Sequence, residues 1–455
     1  MSSDGLQASI EKMRAAGVGD AAIDTFAHYY EQLREGASGM LPESDIEPVE
    51  ELPALDDLPE GDPAIVDTAV VLKLNGGLGT SMGMTQAKSL IEAKEGQSFL
   101  DIVVGQVLAL RERFDARVPL VLMNSFATRD DSLEALRRHP EIESDVPLDF
   151  LQNKVPKIDA ETLQPVSWEA DPSLEWAPPG HGDLYTALRG TGLLQRLVDQ
   201  GYERVFVSNS DNLGAVPDGR IAGWFAESGA PFAIEAVRRT PSDRKGGHFA
   251  RRKSDGRIVL RETAQTSKKD QAALADLDRH RFSSTNNLWF DLRAMTEALD
   301  ARHGILGLPL IRNVKTVDPA DPSTPEVIQI ETAMGAAIEV FEGACIIEVG
   351  RDRFVPVKTT DDLLVLRSDV YDIGSDFVLD PAGDAPFVDL DARYYKLVPE
   401  FERRFPDGAP SLREASSLKV SGDWTFGAKV KVVGDVTLET GAAERIPAGS
   451  VLEHD

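Results

Sequence analysis

The sequence contains very little cysteine. Only Cys345 occurs among 455 residues, so the chain cannot form an internal disulfide, and a reducing compartment is the simplest interpretation. Cys345 lies in the apolar run ACII at residues 344–347, which favours a buried, inert thiol over a catalytic one. We therefore expect neither a disulfide framework nor thiol chemistry.

Long apolar runs are also missing. None approaches the about 20 residues that a membrane-spanning helix requires, and residues 1–20 lack the apolar region of a signal peptide. The sequence therefore predicts a cytoplasmic protein that does not insert into a membrane.

Basic residues are scarce relative to acidic ones. The chain has 48 Lys and Arg residues against 76 Asp and Glu residues, a net charge of −28. This balance argues against nucleic acids and anionic membranes as partners, because both require basic surface. A small anionic substrate stays possible, since a few lysines, backbone N–H groups and a divalent cation can bind it locally.

The chain is longer than one hydrophobic core usually supports, so we expect two or three domains. Amphipathic spacing over residues 6–36 predicts two short helices, and the acidic stretch 41–63 predicts an extended connector. We place both in an N-terminal segment, residues 1–67, followed by a central domain, 68–375, and a C-terminal domain, 376–455.

The central domain alternates short aliphatic runs with longer helical patterns. Four runs are typical of buried strands: residues 69–74, 119–123, 204–208 and 232–237. This alternation predicts an α/β fold with a mixed, mostly parallel sheet covered by helices. Ligands of open sheets bind beyond the carboxyl ends of the strands, and two of these runs end in the polar sequences NGG and NSD. We expect those two loops to face each other.

Helical periodicity fades after about residue 372. Glycine and valine alternate through residues 418–452, with turns roughly every six to ten residues. The pattern predicts a small all-β C-terminal domain, and a partial β-helix is one form that it could take.

The segment LNGGLGTSMG, residues 74–83, follows the first strand. Its glycines would let backbone N–H groups approach phosphate oxygens closely. The segment is not a Walker loop, because no Gly-Lys-Ser/Thr closes it, and Met82 stands where the dinucleotide fingerprint has its third glycine. A flexible turn is the alternative, but the density of glycines favours a ligand loop. Lys88, just beyond it, could neutralise phosphate charge.

The segment NSDNLG, residues 209–214, follows the strand at 204–208. Asp211 could there hold Mg²⁺ between phosphate oxygens. An Asx turn or a helix cap would explain the same residues without function. The position at the carboxyl end of a strand favours the metal.

The loop PPGHGD, residues 178–183, opens a helical pattern. Gly180 and Gly182 would bring backbone against a ligand, and His181 could hydrogen-bond a sugar phosphate. Asp183 is predicted to cap the following helix, which is a structural role.

Three later segments are weaker candidates, because polar turns are common on protein surfaces. RFVPVKTTDDLL, residues 353–364, places Lys358 before a threonine-rich helix start, as a phosphate clamp would be. STNNLW, residues 284–289, offers amides for sugar hydroxyls, and IETAMG, residues 330–335, is a further substrate-facing loop.

Taken in order, these segments closely resemble the eukaryotic-type UTP:glucose-1-phosphate uridylyltransferase family. The resemblance runs from residue 72 to residue 452. One departure is Gln86-Ala87, where the family usually has a Gly-Pro pair before the lysine. The matching motifs are LNGGLGTSMG (74–83), VLMNSF (121–126), PPGHGD (178–183), FVSNSDNLGA (206–215), TNNLW (285–289), QIETAMGAA (329–337) and RFVPVKTTDDLL (353–364).

The resemblance implies a nucleotide-binding central domain of the sugar-nucleotide transferase type, GT-A or Rossmann-like, and a β-helix-like C-terminal domain. It implies that Lys88, Lys358 and Asp211 are catalytic and that Asp211 binds Mg²⁺. The UTP contacts that it implies are Leu74, Asn75, Gly76, Gly77, Lys88, Gln152, Gly180, Asn209 and Lys358. The glucose 1-phosphate contacts that it implies are Gly76, Gly77, His181, Asn209, Ser210, Asp211, Asn286 and Glu331.

The implied reaction is an in-line attack of glucose 1-phosphate on the α-phosphorus of UTP, with pyrophosphate leaving. The nucleophile is already an anion, so catalysis reduces to positioning and charge neutralisation. A pyrophosphorylase for N-acetylhexosamine 1-phosphate, or for many sugar 1-phosphates, is one alternative. A non-catalytic UDP-sugar-binding protein is another, although the two lysines and the carboxylate together favour an enzyme. Beyond its small substrates, the protein is expected to have no partner except possible copies of itself.

Overall fold

The computed structural model describes residues 4–244 and 246–453. Two helices open the chain, α1 (Asp4–Ala15) and α2 (Asp20–Arg34), which confirms the prediction for residues 6–36. Their apolar faces, with Met13, Phe26 and Tyr30, pack against strands of the central region. The connector that follows is largely extended and contains the short strand β1 (Ile46–Pro48).

The part of the chain from residue 63 to residue 367 holds most of the regular structure. Its elements in chain order are α3 (Pro63–Asp67), β2 (Ala69–Asn75), β3 (Glu92–Lys94), β4 (Gln97–Ser98), α4 (Phe99–Phe114), β5 (Leu120–Asn124), α5 (Arg129–Leu136), β6 (Asp149–Leu151), β7 (Val155–Pro156), β8 (Ile158–Asp159), β9 (Trp176–Ala177), α6 (Asp183–Gly190), α7 (Leu193–Asp199), β10 (Arg204–Asn209), α8 (Gly219–Ser228), β11 (Phe232–Arg238), β12 (His248–Arg252), β13 (Ile258–Arg261), α9 (Gln271–Leu274), β14 (Phe282–Asp291), α10 (Leu292–Ala301), β15 (Ile311–Thr316), β16 (Glu326–Glu331), β17 (Cys345–Glu348) and α11 (Thr360–Arg367).

Seven of these strands form the main sheet, in the order β17-β11-β14-β10-β2-β5-β6. Every neighbouring pair is parallel except the two that include β14, which runs antiparallel to β10 and β11. The four predicted strands are β2, β5, β10 and β11. The prediction of a mixed, mostly parallel sheet is therefore confirmed.

Both faces of this sheet are buried, which explains why its strands are continuous apolar runs. Val71 and Leu122 pack on one face with helices α4 and α8. Val70 and Leu72 point to the other face and pack with α6, α7 and α10. The short sheets β1-β12-β13 and β15-β16-β8 flank this core.

After α11 the chain forms β18 (Tyr371–Ile373), β19 (Leu379–Pro381), β20 (Phe387–Leu390), α12 (Ala392–Tyr395), α13 (Val398–Arg404), β21 (Ser411–Ser421), β22 (Trp424–Phe426), β23 (Lys431–Glu439), β24 (Glu444–Ile446) and β25 (Val451–Glu453). Strands β20-β21-β23-β25 form one parallel sheet, and β22 pairs in parallel with β24. From β21 onward, successive strands therefore alternate between the two sheets.

The prediction of an all-β end is wrong at α12 and α13. These short helices are held by aromatic packing, because Phe405 lies 4.9 Å from Phe401 and 4.7 Å from Phe426 between ring centroids. The prediction rested on the pattern of glycine and valine further along the chain, which carries no sign of this aromatic cluster. In the described part of the chain, no helix combines the length and the apolar character that a bilayer crossing requires.

Phe377, at the start of the C-terminal region, packs against helix α4, and we expect this contact to make alanine unfavourable inside that helix. A Cβ on Gly105, inside α4, would lie 2.4 Å from Cγ of Phe377. We expect Gly105→Ala to lower the free energy of unfolding by about 1–3 kcal/mol, because the clash outweighs the better helix propensity of alanine. Guanidinium denaturation measures the change.

Gly190, in α6, is the matched control. A Cβ there would lie 3.6 Å from the Cβ of Ala21, an ordinary contact. Gly190→Ala should be neutral or stabilising by up to about 1 kcal/mol. Equal effects of the two substitutions would contradict the packing described for Phe377.

Candidate active site

Four neighbouring strands end at the same edge of the main sheet. Asn209 of β10 pairs with Leu74 of β2, Asn75 of β2 pairs with Asn124 of β5, and Asn124 pairs with Leu151 of β6. The residues that follow these strands therefore converge, as the carboxyl ends of parallel strands must. The two predicted loops meet, since the Ser210 N–H donates to the Leu74 carbonyl at 3.1 Å.

The glycine-rich segment at residues 74–83, called here the glycine loop, packs against Gln152, which follows β6. A Cβ on Gly76 would lie 2.7 Å from Oε1 of Gln152, so the close approach requires glycine there. Asn75 is 2% exposed, and its Nδ2 donates to Asn124 Oδ1 at 2.8 Å and to Ser132 Oγ at 2.7 Å. Its side chain is therefore committed to the core, and only its backbone can face a ligand.

Lys88 and Asp211 form an ion pair at this edge. Lys88 Nζ lies 2.6 Å from Asp211 Oδ2, and the side chains are 18% and 20% exposed. The loop reaches back to make this contact, because the Lys88 N–H donates to the Gly77 carbonyl at 3.1 Å. A partly buried, hydrogen-bonded pair of this kind is stronger than a surface ion pair.

Lys358 is brought to the same place through the backbone. Lys88 Nζ also donates to the Val357 carbonyl, and the Val357 N–H donates to the Asp211 carbonyl at 3.2 Å. The side chain of Lys358 is exposed. Its N–H donates to Asp362 Oδ2 at 2.7 Å, at the start of α11.

The donor set limits how a divalent metal could bind. Across residues 4–244 and 246–453, no group of three or more His, Cys, Asp or Glu side chains could hold a metal ion. Mg²⁺ usually takes one or two carboxylates together with waters and substrate phosphates. A single, partly exposed carboxylate at a strand end, Asp211, fits that arrangement and does not fit an all-protein cage.

The loop at residues 178–183, called here the histidine loop, is fixed by the segment that follows β16. Gly180 has φ +79°, and a Cβ on it would lie 2.4 Å from the Thr332 carbonyl oxygen. The Thr332 N–H donates to the Pro179 carbonyl at 3.0 Å, and the Thr332 carbonyl accepts from the Gly182 N–H at 2.9 Å. The loop therefore has one defined position against this segment.

His181 is neutral in this position. The Met334 N–H donates to its Nδ1 at 3.1 Å, so Nε2 must carry the ring proton in the neutral form. Burial lowers the pKa of His181 to about 4. At neutral pH the ring is therefore an Nε2–H donor rather than a cation.

The predicted capping role of Asp183 is wrong. The N-cap of α6 is Gly182, and Asp183 is the first helical residue. The carboxylate of Asp183 instead accepts from the Asn153 N–H at 2.6 Å and from Asn153 Nδ2 at 2.8 Å. Burial raises the pKa of Asp183 to about 6, although these hydrogen bonds oppose the increase. Asp183 thus links the histidine loop to the residue after Gln152.

Asn286 and Glu331 lie at the margins of this arrangement. Asn286 has φ +60°, at the irregularity in the β11–β14 pairing, and β14 continues beside β10. Asparagine tolerates this left-handed conformation better than most residues. Glu331 ends β16 and accepts from Asn313 Nδ2 at 3.0 Å, and its Cβ lies 3.1 Å from the Cβ that Gly180 would carry.

A buried ion pair that was not predicted from the sequence lies beneath the loop that carries Asp211. Arg353 donates from Nε and Nη2 to the two carboxylate oxygens of Glu235, both at 2.8 Å. The same carboxylate accepts from Trp289 Nε1 at 3.2 Å and from Asn287 Nδ2 at 3.0 Å. The detectable signal was a glutamate inside the apolar run at residues 232–237.

Lys73 lies inside the apolar run at residues 69–74, and its role was likewise not predicted from the sequence. Its Nζ donates to Ser208 Oγ at 2.8 Å and to the Ala215 carbonyl at 2.7 Å. Burial lowers the pKa of Lys73 to about 7, and the charge of Arg353 acts in the same direction. Lys73 therefore supports the loop between β10 and α8 from below.

Comparison with known proteins identifies the family of this chain. The family model described as UTP--glucose-1-phosphate uridylyltransferase matches residues 23–433. The chain belongs to this family. The predicted resemblance is therefore confirmed, and the family includes relatives from plants and fungi. The enzyme of that name from Hordeum vulgare is 39% identical over 398 residues, which cover 86% of this chain and 82% of the relative.

Other members of the family agree in sequence and in fold. A probable UTP--glucose-1-phosphate uridylyltransferase from Schizosaccharomyces pombe is 39% identical over 84% of this chain and 76% of its own length. The UDP-glucose pyrophosphorylase of Leishmania major superposes with a TM-score of 0.94 at 44% identity, covering 100% of this chain and 99% of that chain. A variant of it was solved in complex with UDP-glucose, with a TM-score of 0.94 and 43% identity.

The environment of His181 predicts a pH dependence of stability. The folded pKa of about 4 lies below the ordinary value of 6.5, so the unfolded chain binds more protons between these values. Stability is therefore complete above pH 6.5 and falls as the pH drops toward 4. The contribution of this residue is a loss of about 2 kcal/mol at pH 5.

Urea denaturation of the native protein and of His181→Gln, at pH 7.5 and pH 5, measures this loss. Glutamine cannot take up the proton, so the variant should lose about 2 kcal/mol less than the native protein between the two pH values. Above pH 7 the difference in stability between the two proteins should no longer change with pH. Parallel losses in both proteins would show that His181 is not the titrating group.

Proposed function

We propose that the chain transfers the uridylyl group of UTP to glucose 1-phosphate, giving UDP-glucose and pyrophosphate. The observation that carries the proposal is the Lys88–Asp211 pair, at 2.6 Å, at the edge where the glycine loop and three other strand ends converge. Membership of the family supports the choice of substrates. The relatives named above bear the names of this activity.

The glycine loop and Gln152 would bind the nucleotide. The backbone from Leu74 to Gly77, with Gly180 and Asn209, would approach UTP closely, since the side chain of Asn75 is already occupied. His181, through its Nε2–H, would donate to glucose 1-phosphate. Ser210, Asn286 and Glu331 would contribute polar groups to the sugar phosphate.

Catalysis would rest on charge and position. Lys88 and Lys358 would neutralise phosphate oxygens, and the loops would hold the two phosphates in line. Asp211 would bind Mg²⁺, which supplies Lewis-acid stabilisation of phosphate charge. Substrate binding would separate Asp211 from Lys88, so that the carboxylate faces the metal and the ammonium faces phosphate.

The finer architectural assignments are also proposals. We assign the central region, 68–375, to the GT-A or Rossmann-like sugar-nucleotide transferases, because its sheet presents the site at strand ends. We assign the C-terminal region, 376–455, to the β-helix-like folds, because its strands alternate between two parallel sheets. Residues 1–67 would form an N-terminal helical segment with an acidic connector. A cytoplasmic location and self-association stay predictions.

Pyrophosphate release from UTP and a panel of sugar 1-phosphates tests the proposal. Glucose 1-phosphate should support turnover, and N-acetylglucosamine 1-phosphate should support at least about tenfold less. Asp211→Asn and Lys358→Ala should each lower kcat by about 10²–10³, because each removes one stabiliser of transition-state charge.

Lys396→Ala, on the short stretch between α12 and α13, is a matched control for the loss of a lysine. It should keep native turnover. Strong release with N-acetylglucosamine 1-phosphate would favour the alternative substrate class. An absence of release with every sugar, in folded protein, would favour a non-catalytic UDP-sugar-binding protein.

A further inference from the structure

Asn212 follows the proposed metal ligand directly, and its side chain is almost completely buried, with 1% exposed. Its Nδ2 donates to the Arg353 carbonyl at 3.1 Å and to Asn287 Oδ1 at 3.3 Å. Its Oδ1 accepts from the Val355 N–H at 2.9 Å. The amide thus uses both its donor and its acceptor on residues distant in sequence.

Two of these partners belong to the segment that leads to Lys358. Asn212 also forms a β-bridge with Pro356, and the Val357 N–H donates to the Asp211 carbonyl at 3.2 Å. The loop that carries Asp211 and the segment that carries Lys358 therefore run side by side like two short strands. Asn212 supplies two side-chain hydrogen bonds between them.

The far end of the same segment is held by Arg353. Its Nη2 donates to the Val216 carbonyl at 2.8 Å, at the end of the Asp211 loop, while Glu235 fixes the guanidinium. The loop is thus attached to the segment at Asn212 and again at Val216. Two attachments remove the freedom of the segment to slide or rotate along the loop.

We propose that Asn212 is a positioning residue that holds the backbone leading to Lys358 at a fixed distance from the loop that carries Asp211. The inference rests on the proposed roles of Lys358 and Asp211. Asn212 itself touches no substrate, because its side chain is buried and fully engaged. A shift of about 1 Å in a group that must meet a phosphate can cost about 10² in rate. Holding the geometry before substrate arrives avoids that loss.

A double-mutant cycle in kcat tests this role. Asn212→Ala should lower kcat by about 10–100-fold and change each KM by less than about threefold. In the double variant with Lys358→Ala, kcat should fall no more than about threefold below that of Lys358→Ala alone, because the lysine that Asn212 positions is already gone. A product of the two single effects would overturn the inference.

Hydrogen exchange provides a readout that needs no substrate or metal. The amides of Val355 and Val357 should exchange at least about tenfold faster in Asn212→Ala than in the native protein. Amides of the main sheet, such as that of Leu122, should be unchanged. Unchanged exchange at both valines would show that Asn212 does not hold the two segments together.

Tyr395→Phe controls for the loss of a buried hydrogen bond elsewhere. Tyr395 is 0% exposed, and its hydroxyl donates to the Trp424 carbonyl at 2.7 Å. The Tyr395→Phe variant should have a lower midpoint of urea denaturation and an unchanged kcat. If Asn212→Ala does not fold, Asn212→Ser replaces it in every arm, because serine keeps a polar group at the site.

The experiments distinguish a failure of the proposed catalytic role of Lys358 from a failure of the positioning role of Asn212. Native turnover in Lys358→Ala would refute the proposed catalytic role of that lysine, and with it this inference. Slow turnover in Lys358→Ala, together with multiplicative effects in the cycle, would refute the positioning role alone.

Discussion

The parallel pairing of β10, β2, β5 and β6 is the constraint on which the site depends. Alternate side chains of β2, β5 and β10 pack in two different apolar layers, so a slip by one residue would move each side chain into the layer on the opposite face, where the packing is different. Because the register is fixed, the four strands end at the same edge of the sheet, at Asn209, Asn75, Asn124 and Leu151. The loops that bear the proposed binding groups inherit that alignment.

Charge at the site is balanced within the protein itself. Lys88 and Asp211 neutralise each other at 2.6 Å, and Arg353 and Glu235 do so below them. The Lys88–Asp211 pair is partly exposed, whereas the Arg353–Glu235 pair is buried and hydrogen-bonded. A partly exposed ion pair thus lies above a buried one, which fits the proposed exchange of partners with substrate phosphates at the upper pair.

The sequence was sufficient for features encoded by local pattern. The strands at 69–74 and 204–208, the glycine loop and the polar strand ends were predictable, because apolar periodicity and glycine density act within a few residues. The contact of Thr332 with Gly180 was not predictable, since it joins residues distant in sequence through tertiary packing. For the same reason, Asp183 looked like a helix cap, although its carboxylate binds Asn153.

The buried pair of Glu235 and Arg353 has an evolutionary consequence. Loss of either residue alone would leave an uncompensated charge in the interior, which usually costs several kcal/mol. Replacement of both by apolar residues could be tolerated in the fold, but it would also remove the hydrogen bonds to Asn287, Trp289 and Val216. Divergence at these two positions is therefore restricted to joint changes, and sequences that drift apart on the surface should retain the pair together.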